Sequence, residues 1–155
     1  MWPCYNFCDV YAFLYHVRER RMVVKVEQPY SAQVLEHFAR PRNLGRLPEA
    51  NGRGRIGDLR DGPTQIEIAI LVEGERVTAA RFRTFGCSAA IAASSVATTL
   101  IEGRTVREAG GLTAESITAA LGGLPPARAY APEMAAAAVQ AAVADWAARE
   151  RTEGR

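Results

Sequence analysis

The chain has 155 residues, enough for one domain with a real core and too few for two comfortable ones. Apolar residues make up 48% and charged residues 23%, the balance of a soluble globular protein. A formal net charge of only +2 argues against a nucleic-acid-binding task, and no apolar run is long enough to span a bilayer.

Lys25 is the single lysine, and the arginines that supply the other basic charges are scattered along the chain. Three cysteines, Cys4, Cys8 and Cys87, are too few and odd in number for a disulfide framework, which points to a reducing, cytoplasmic location.

Residues 1–27 read as a variable or disordered extension. They are rich in Tyr, Phe and Trp, lack the pattern of a secretory signal, and contain Met22 as an alternative start. Cys4 and Cys8 have helical i, i+4 spacing, but two thiols without a nearby third ligand are a weak metal signal. A domain is expected over residues 28–150, followed by a tail at 151–155.

Ser31 is placed to cap a short helix in which Val34, Leu35 and Phe38 share a face and which Pro41 ends. Residues 43–63 are rich in glycine and predict loop with one short strand. Ile66, Ile68, Ile70 and Val72 then alternate with Gln65, Glu67 and Ala69, which is a strand pattern. A turn at Glu73, Gly74 and Glu75 leads to a second strand from about Val77 to Phe85, making a hairpin.

After Cys87 the signal is helical. Residues 88–101 form a small-residue helix closed by Gly103, and Thr105 and Thr113 cap two shorter helices. Pro125 and Pro126 predict an extended segment, and Pro132 suits the first position of a last helix reaching about Arg149. Val139, Ala142, Val143 and Trp146 would line its buried face. The segregation of strands from helices predicts an α+β fold, a small antiparallel sheet covered on one face by helices.

Four segments together resemble the NifU/IscU-type iron–sulfur cluster scaffold. They are Tyr30-Ser31 through Gly45, the strand–cysteine–helix element from Arg81 to Ser95, Leu124-Pro125-Pro126-Ala127-Arg128, and the stretch from Ala141 to Trp146. The insertion of SufU-type relatives is absent, so IscU is the nearer comparison. The resemblance implies a three-stranded sheet and a [2Fe–2S] cluster assembled on three cysteines and one further ligand.

Carried over position by position, the first cysteine turn reads Asp61-Gly62-Pro63, the second cysteine is Cys87, and the family's His-Cys pair reads Tyr130-Ala131. One thiolate and one nearby carboxylate, Asp61, therefore stand as candidate ligands for iron or zinc, and a carboxylate does not replace two thiolates around a cluster. Within one chain, Cys4 and Cys8 would have to fold back to complete such a site.

Cys87, at a predicted helix N-terminus, suits a metal ligand or a persulfide acceptor; the competing reading is a small buried hydrophobe. His37 is expected to be structural, which disfavours a cysteine–histidine enzyme. The resemblance further implies a cysteine desulfurase as partner, and an Hsp70-class chaperone docking on Leu124, Pro125, Pro126 and Arg128.

Three function classes stay open. The first is a non-enzymatic scaffold handling iron or sulfur through Cys87, alone or as a homo-oligomer pooling that thiol. The second is a degenerate accessory relative that binds the assembly machinery, and the third a thiol enzyme.

Overall fold

A computed structural model of the protein describes residues 30–153. The N-terminal extension with Cys4 and Cys8 lies outside the described residues. The fold is α+β, as the segregated pattern predicts. Helix α1 (Ala32–Ala39) precedes strands β1 (Gly52–Ile56), β2 (Gln65–Glu73) and β3 (Arg76–Phe85). Helices α2 (Ser88–Ile101), α3 (Val106–Gly110), α4 (Ala114–Ala120) and α5 (Tyr130–Glu153) follow. The strands form one antiparallel sheet in the order β1-β2-β3. Among the described residues no helix is long and apolar enough to cross a membrane.

The alternation in β2 sets the layers. Ile66, Ile68, Ile70 and Val72 point inward and are buried with Val77 and Phe82. Helices α2 and α5 cover that face. The hairpin turns tightly at Gly74, whose φ of +62 is a conformation that favours glycine.

Helix α2 is small-residue and apolar because it is enclosed on nearly every side, packing against α1, β3 and α5. Its hydroxyls are satisfied internally. Ser94 Oγ donates to Ala90 O at 2.8 Å and Thr98 Oγ1 to Ser94 O at 3.1 Å.

Ser31 caps α1 by accepting from Val34 N at 3.1 Å, and its hydroxyl donates to Leu121 O. His37 is the second buried residue of α1, beside Val34. Arg42 Nη1 donates to its Nε2 at 3.0 Å, so the proton lies on Nδ1, which faces Ser95 Oγ at 2.9 Å. This is the structural role expected of His37.

Two elements differ from the sequence expectation. The last helix starts at Tyr130, two residues before Pro132, and runs to Glu153 rather than Arg149. Pro132 is tolerated there because N–H groups of a first helical turn need no intrahelical partner. Residues 149–153 contain no helix breaker. The proline pair is extended only at Pro125 (ψ 145°), after which Pro126–Arg128 closes into a 3-10 turn. Proline disfavours helix in the residue before it and suits the first position of a helix itself.

Helix α5 lies almost in contact with the backbone of β1. A Cβ on Gly54 would stand 2.0 Å from Ala138 O and 2.5 Å from Ala142 N; one on Gly52 would stand 2.5 Å from Ala142 O. Those atoms are backbone and cannot swing aside. Gly54→Ala should therefore destabilise the domain by about 3 kcal/mol or more, measured as a lowered urea midpoint. Gly62→Ala, where an added Cβ meets nothing within 4 Å, is the control.

Burial first, then the charge of Arg42, holds the His37 imidazole below its ordinary value of 6.5, against a smaller opposing effect of Glu36. The unfolded chain thus takes up a proton near pH 6.5 that the folded chain accepts only at lower pH. Stability should fall as the pH drops from 6.5 towards 4.5, where carboxylates begin to titrate. Urea midpoints across that window check this, and His37→Gln should flatten the slope.

Candidate functional site

The sharpest turn from sheet to helix occurs at Gly86 and Cys87. Gly86 packs against Thr64: an added Cβ there would lie 3.0 Å from Thr64 Cγ2 and 3.3 Å from Ala90 Cβ. Cys87 is the N-cap of α2, in extended backbone, and its side chain makes no capping bond. The thiol is free and half-buried. Its Sγ lies 3.0 Å from the phenolic Oη of Tyr130, the first residue of α5.

Around this pair lies an open cavity of about 420 Å³, walled by Pro63, Thr64, Phe85, Arg128 and the pair itself. Phe85 is 65% exposed at its edge, an unusually open position for a large aromatic.

The polar groups there bear on one another. Burial first, then the hydrogen bond to and the charge of Cys87, push the Tyr130 phenol above its ordinary value of 10.0. Hydrogen bonds with Thr64 and Arg128 pull the other way. The phenol therefore stays protonated at neutral pH and has an O–H to give to sulfur. Hydrogen bonding with Tyr130, then the charge of Tyr30, raise Arg128 further above its ordinary value, with a smaller contribution from Cys87, so the guanidinium stays charged.

Cys87 and Arg128 both line this cavity, and Asp61 is not among its walls. Asp61 is exposed in the turn that closes on Asp58 O, and Pro63 and Thr64 are the residues of that loop that reach the cavity. Leu124 and Pro125 are half-buried and Pro126 is exposed, so the proline segment presents only part of itself to solvent. Ala131 is fully buried.

Tyr130 and Thr64 escape a sequence reading that searches for metal ligands. The available signal was the tyrosine at the position where the resemblance places the histidine of the family's His-Cys pair.

Among the described residues no group of three or more His, Cys, Asp or Glu is arranged to hold a metal ion. One thiol, one phenol, one guanidinium and one hydroxyl do not fit a [2Fe–2S] cluster, which needs four donors, mostly thiolates. The set suits a single sulfur atom that gains or loses negative charge.

Comparison with known proteins agrees with the architecture. The NifU-like N terminal domain family matches residues 29–153. The iron–sulfur cluster assembly scaffold protein IscU 1 of Archaeoglobus fulgidus is 40% identical over 117 residues, covering 76% of each chain. The IscU scaffold of Haemophilus influenzae is 34% identical over 125 residues, 78% of this chain and 98% of the other. The Drosophila melanogaster relative, named an iron–sulfur cluster assembly enzyme IscU, is 36% identical, covering 79% of this chain and 80% of the other.

Two crystal structures share the fold. A SUF-system scaffold protein from Fervidobacterium islandicum has a TM-score of 0.59 at 18% identity, covering 74% of this chain and 96% of the other. The N-terminal part of a NifU-like protein from Brucella abortus has a TM-score of 0.57 at 17% identity, covering 78% and 96%.

The contact between Cys87 and Tyr130 is open to measurement. Tyrosinate absorbance, taken as the difference between wild type and Tyr130→Phe, should show Tyr130 ionising above pH 10.0. Cys87→Ala should lower that value without restoring it fully, because burial, the first cause, remains.

Proposed function

The chain belongs to the NifU-like N terminal domain family, and from that premise we propose that it handles sulfur for iron–sulfur cluster assembly through one thiol, Cys87. The carrying observation is the Cys87 Sγ at 3.0 Å from the Tyr130 phenol, in a cavity also walled by Arg128. In the transfer, the Cys87 thiolate attacks the outer sulfur of a persulfide offered by a cysteine desulfurase. A new S–S bond forms at Cys87, the donor's S–S bond breaks, and the donor cysteine leaves as its thiolate. No oxidant is consumed. Tyr130 O–H and the Arg128 charge stabilise the sulfur anion on this chain before and after transfer. Exposed Phe85 gives an apolar foothold for the donor protein.

A metal role, for iron or zinc, needs more than the described site offers. Asp61 would have to be carried from its exposed turn to Cys87 before both ligated one ion. With Asp61 and Ala131 at positions where the family resemblance calls for thiolates, a monomer should hold no stable [2Fe–2S] cluster. Chaperone docking on Leu124, Pro125, Pro126 and Arg128 would meet an exposed Pro126 between half-buried Pro125 and Arg128.

Anaerobic incubation with a desulfurase and free cysteine, followed by mass spectrometry of intact protein, tests the transfer. Wild type should gain one sulfane sulfur per chain, Cys87→Ser none, and Tyr130→Phe should gain it more slowly. Reconstitution with iron and sulfide should leave monomer without a stoichiometric cluster in Mössbauer spectra. The accessory reading is favoured by the loss of ligand chemistry at Tyr130 and Ala131. It takes over if the wild-type thiol stays inert while Cys87→Ser binds the desulfurase as tightly.

A further inference from the structure

The outer face of the sheet, away from the helices, carries a second set of chemistry. Its residues follow from register. Arg55, Glu67 and Arg83 form one row across the three strands, and Arg53, Ala69 and Arg81 form the next. Arg46 and Pro48 of the preceding loop wall the second row, enclosing an open cavity of about 360 Å³. Its floor is low because Ala69 is small.

The charges in this cavity do not balance. Glu67 is shared by Arg55 at 2.8 Å and Arg83 at 2.9 Å. Burial alone would raise this carboxyl, but those two guanidinium groups hold it below the usual 4.5, so it stays charged and paired with them at neutral pH. Arg81 reaches Glu102 at 3.3 Å. Among the described residues neither Arg46 nor the Arg53 guanidinium has a carboxylate partner.

The whole chain carries a net charge of only +2, yet four arginines, Arg46, Arg53, Arg81 and Arg83, line this cavity with one carboxylate, Glu67. Arg53 and Arg81 flank Ala69 from the two outer strands, so the middle of that row is open and apolar. Two of the four are also held in place. Arg53 Nη2 donates to Leu47 O at 2.9 Å and Pro48 O at 3.3 Å. Arg81 Nη1 donates to Asn43 Oδ1 at 3.0 Å. Their remaining N–H groups are thus presented by rigid elements, which lowers the entropy lost on binding.

We propose that this cavity binds a small, multiply charged oxyanion, a phosphoryl or carboxylate compound, on the arginines of β1, β3 and the loop before β1. Planar guanidinium forks match both groups in bidentate geometry. The site lies on the opposite face of the sheet from the helices and does not depend on Cys87.

Titration calorimetry on the full chain tests it, with pyrophosphate in one arm and citrate in the other, at ionic strength held constant with sodium chloride. Saturable one-to-one binding in either arm is expected, and the tighter arm identifies the group. Arg46→Gln, which removes no hydrogen bond seen in the fold, should weaken binding by about tenfold. Arg53→Gln should do at least as much. Arg60→Gln, outside the cavity, and Cys87→Ser should leave it unchanged. Heats that do not saturate in either arm, or affinity that survives both Arg46→Gln and Arg53→Gln, would overturn the proposal.

Discussion

Helix α5 rests almost directly on strand β1, because Gly52 and Gly54 carry no side chains and the helix positions facing them are alanines save Trp146. This close approach fixes where α5 lies along the sheet. Gly57 extends the constraint, since a Cβ there would meet Thr64 O at 2.2 Å and Met134 Cε at 2.9 Å. The first turn of α5 is thereby held beside the loop that carries Thr64, and Tyr130 reaches Cys87 from it. The sulfur site depends on that contact although none of its own residues makes it.

The other half of the site comes from α2. A helix enclosed on nearly all sides has little freedom to slide, so its N-cap is a fixed point. Cys87 occupies that point, and the groups that complete the site arrive from the Thr64 loop, the 3-10 turn and α5. Preorganisation of this kind suits a thiol whose charge changes during reaction, because the donors need not move when it does.

The two faces of the sheet serve different ends for one reason. A strand sends alternate side chains to opposite sides, so the isoleucines of β2 build the core while arginines of the flanking β1 and β3 lie on the other face. A nearly neutral chain can therefore hold a concentrated positive surface, which net charge alone conceals.

The elements were largely legible in the sequence. The alternation from Ile66 to Val72 announces a half-buried strand, Ser31, Thr105 and Thr113 announce helix starts, and each relies on near neighbours only. The family motif singled out Cys87, and it marked Arg128 only as part of a chaperone-docking segment, not as a neighbour of that thiol. Strand β1 was harder to read because its glycines lack strand propensity, and they are there for α5, a partner some 80 residues away in the chain. The meeting of Tyr130 with Cys87, the withdrawal of Asp61 to an exposed turn and the convergence of arginines from two strands and a loop were decided only by tertiary structure. Each depends on register and helix placement over long separations, set by packing that no local pattern encodes.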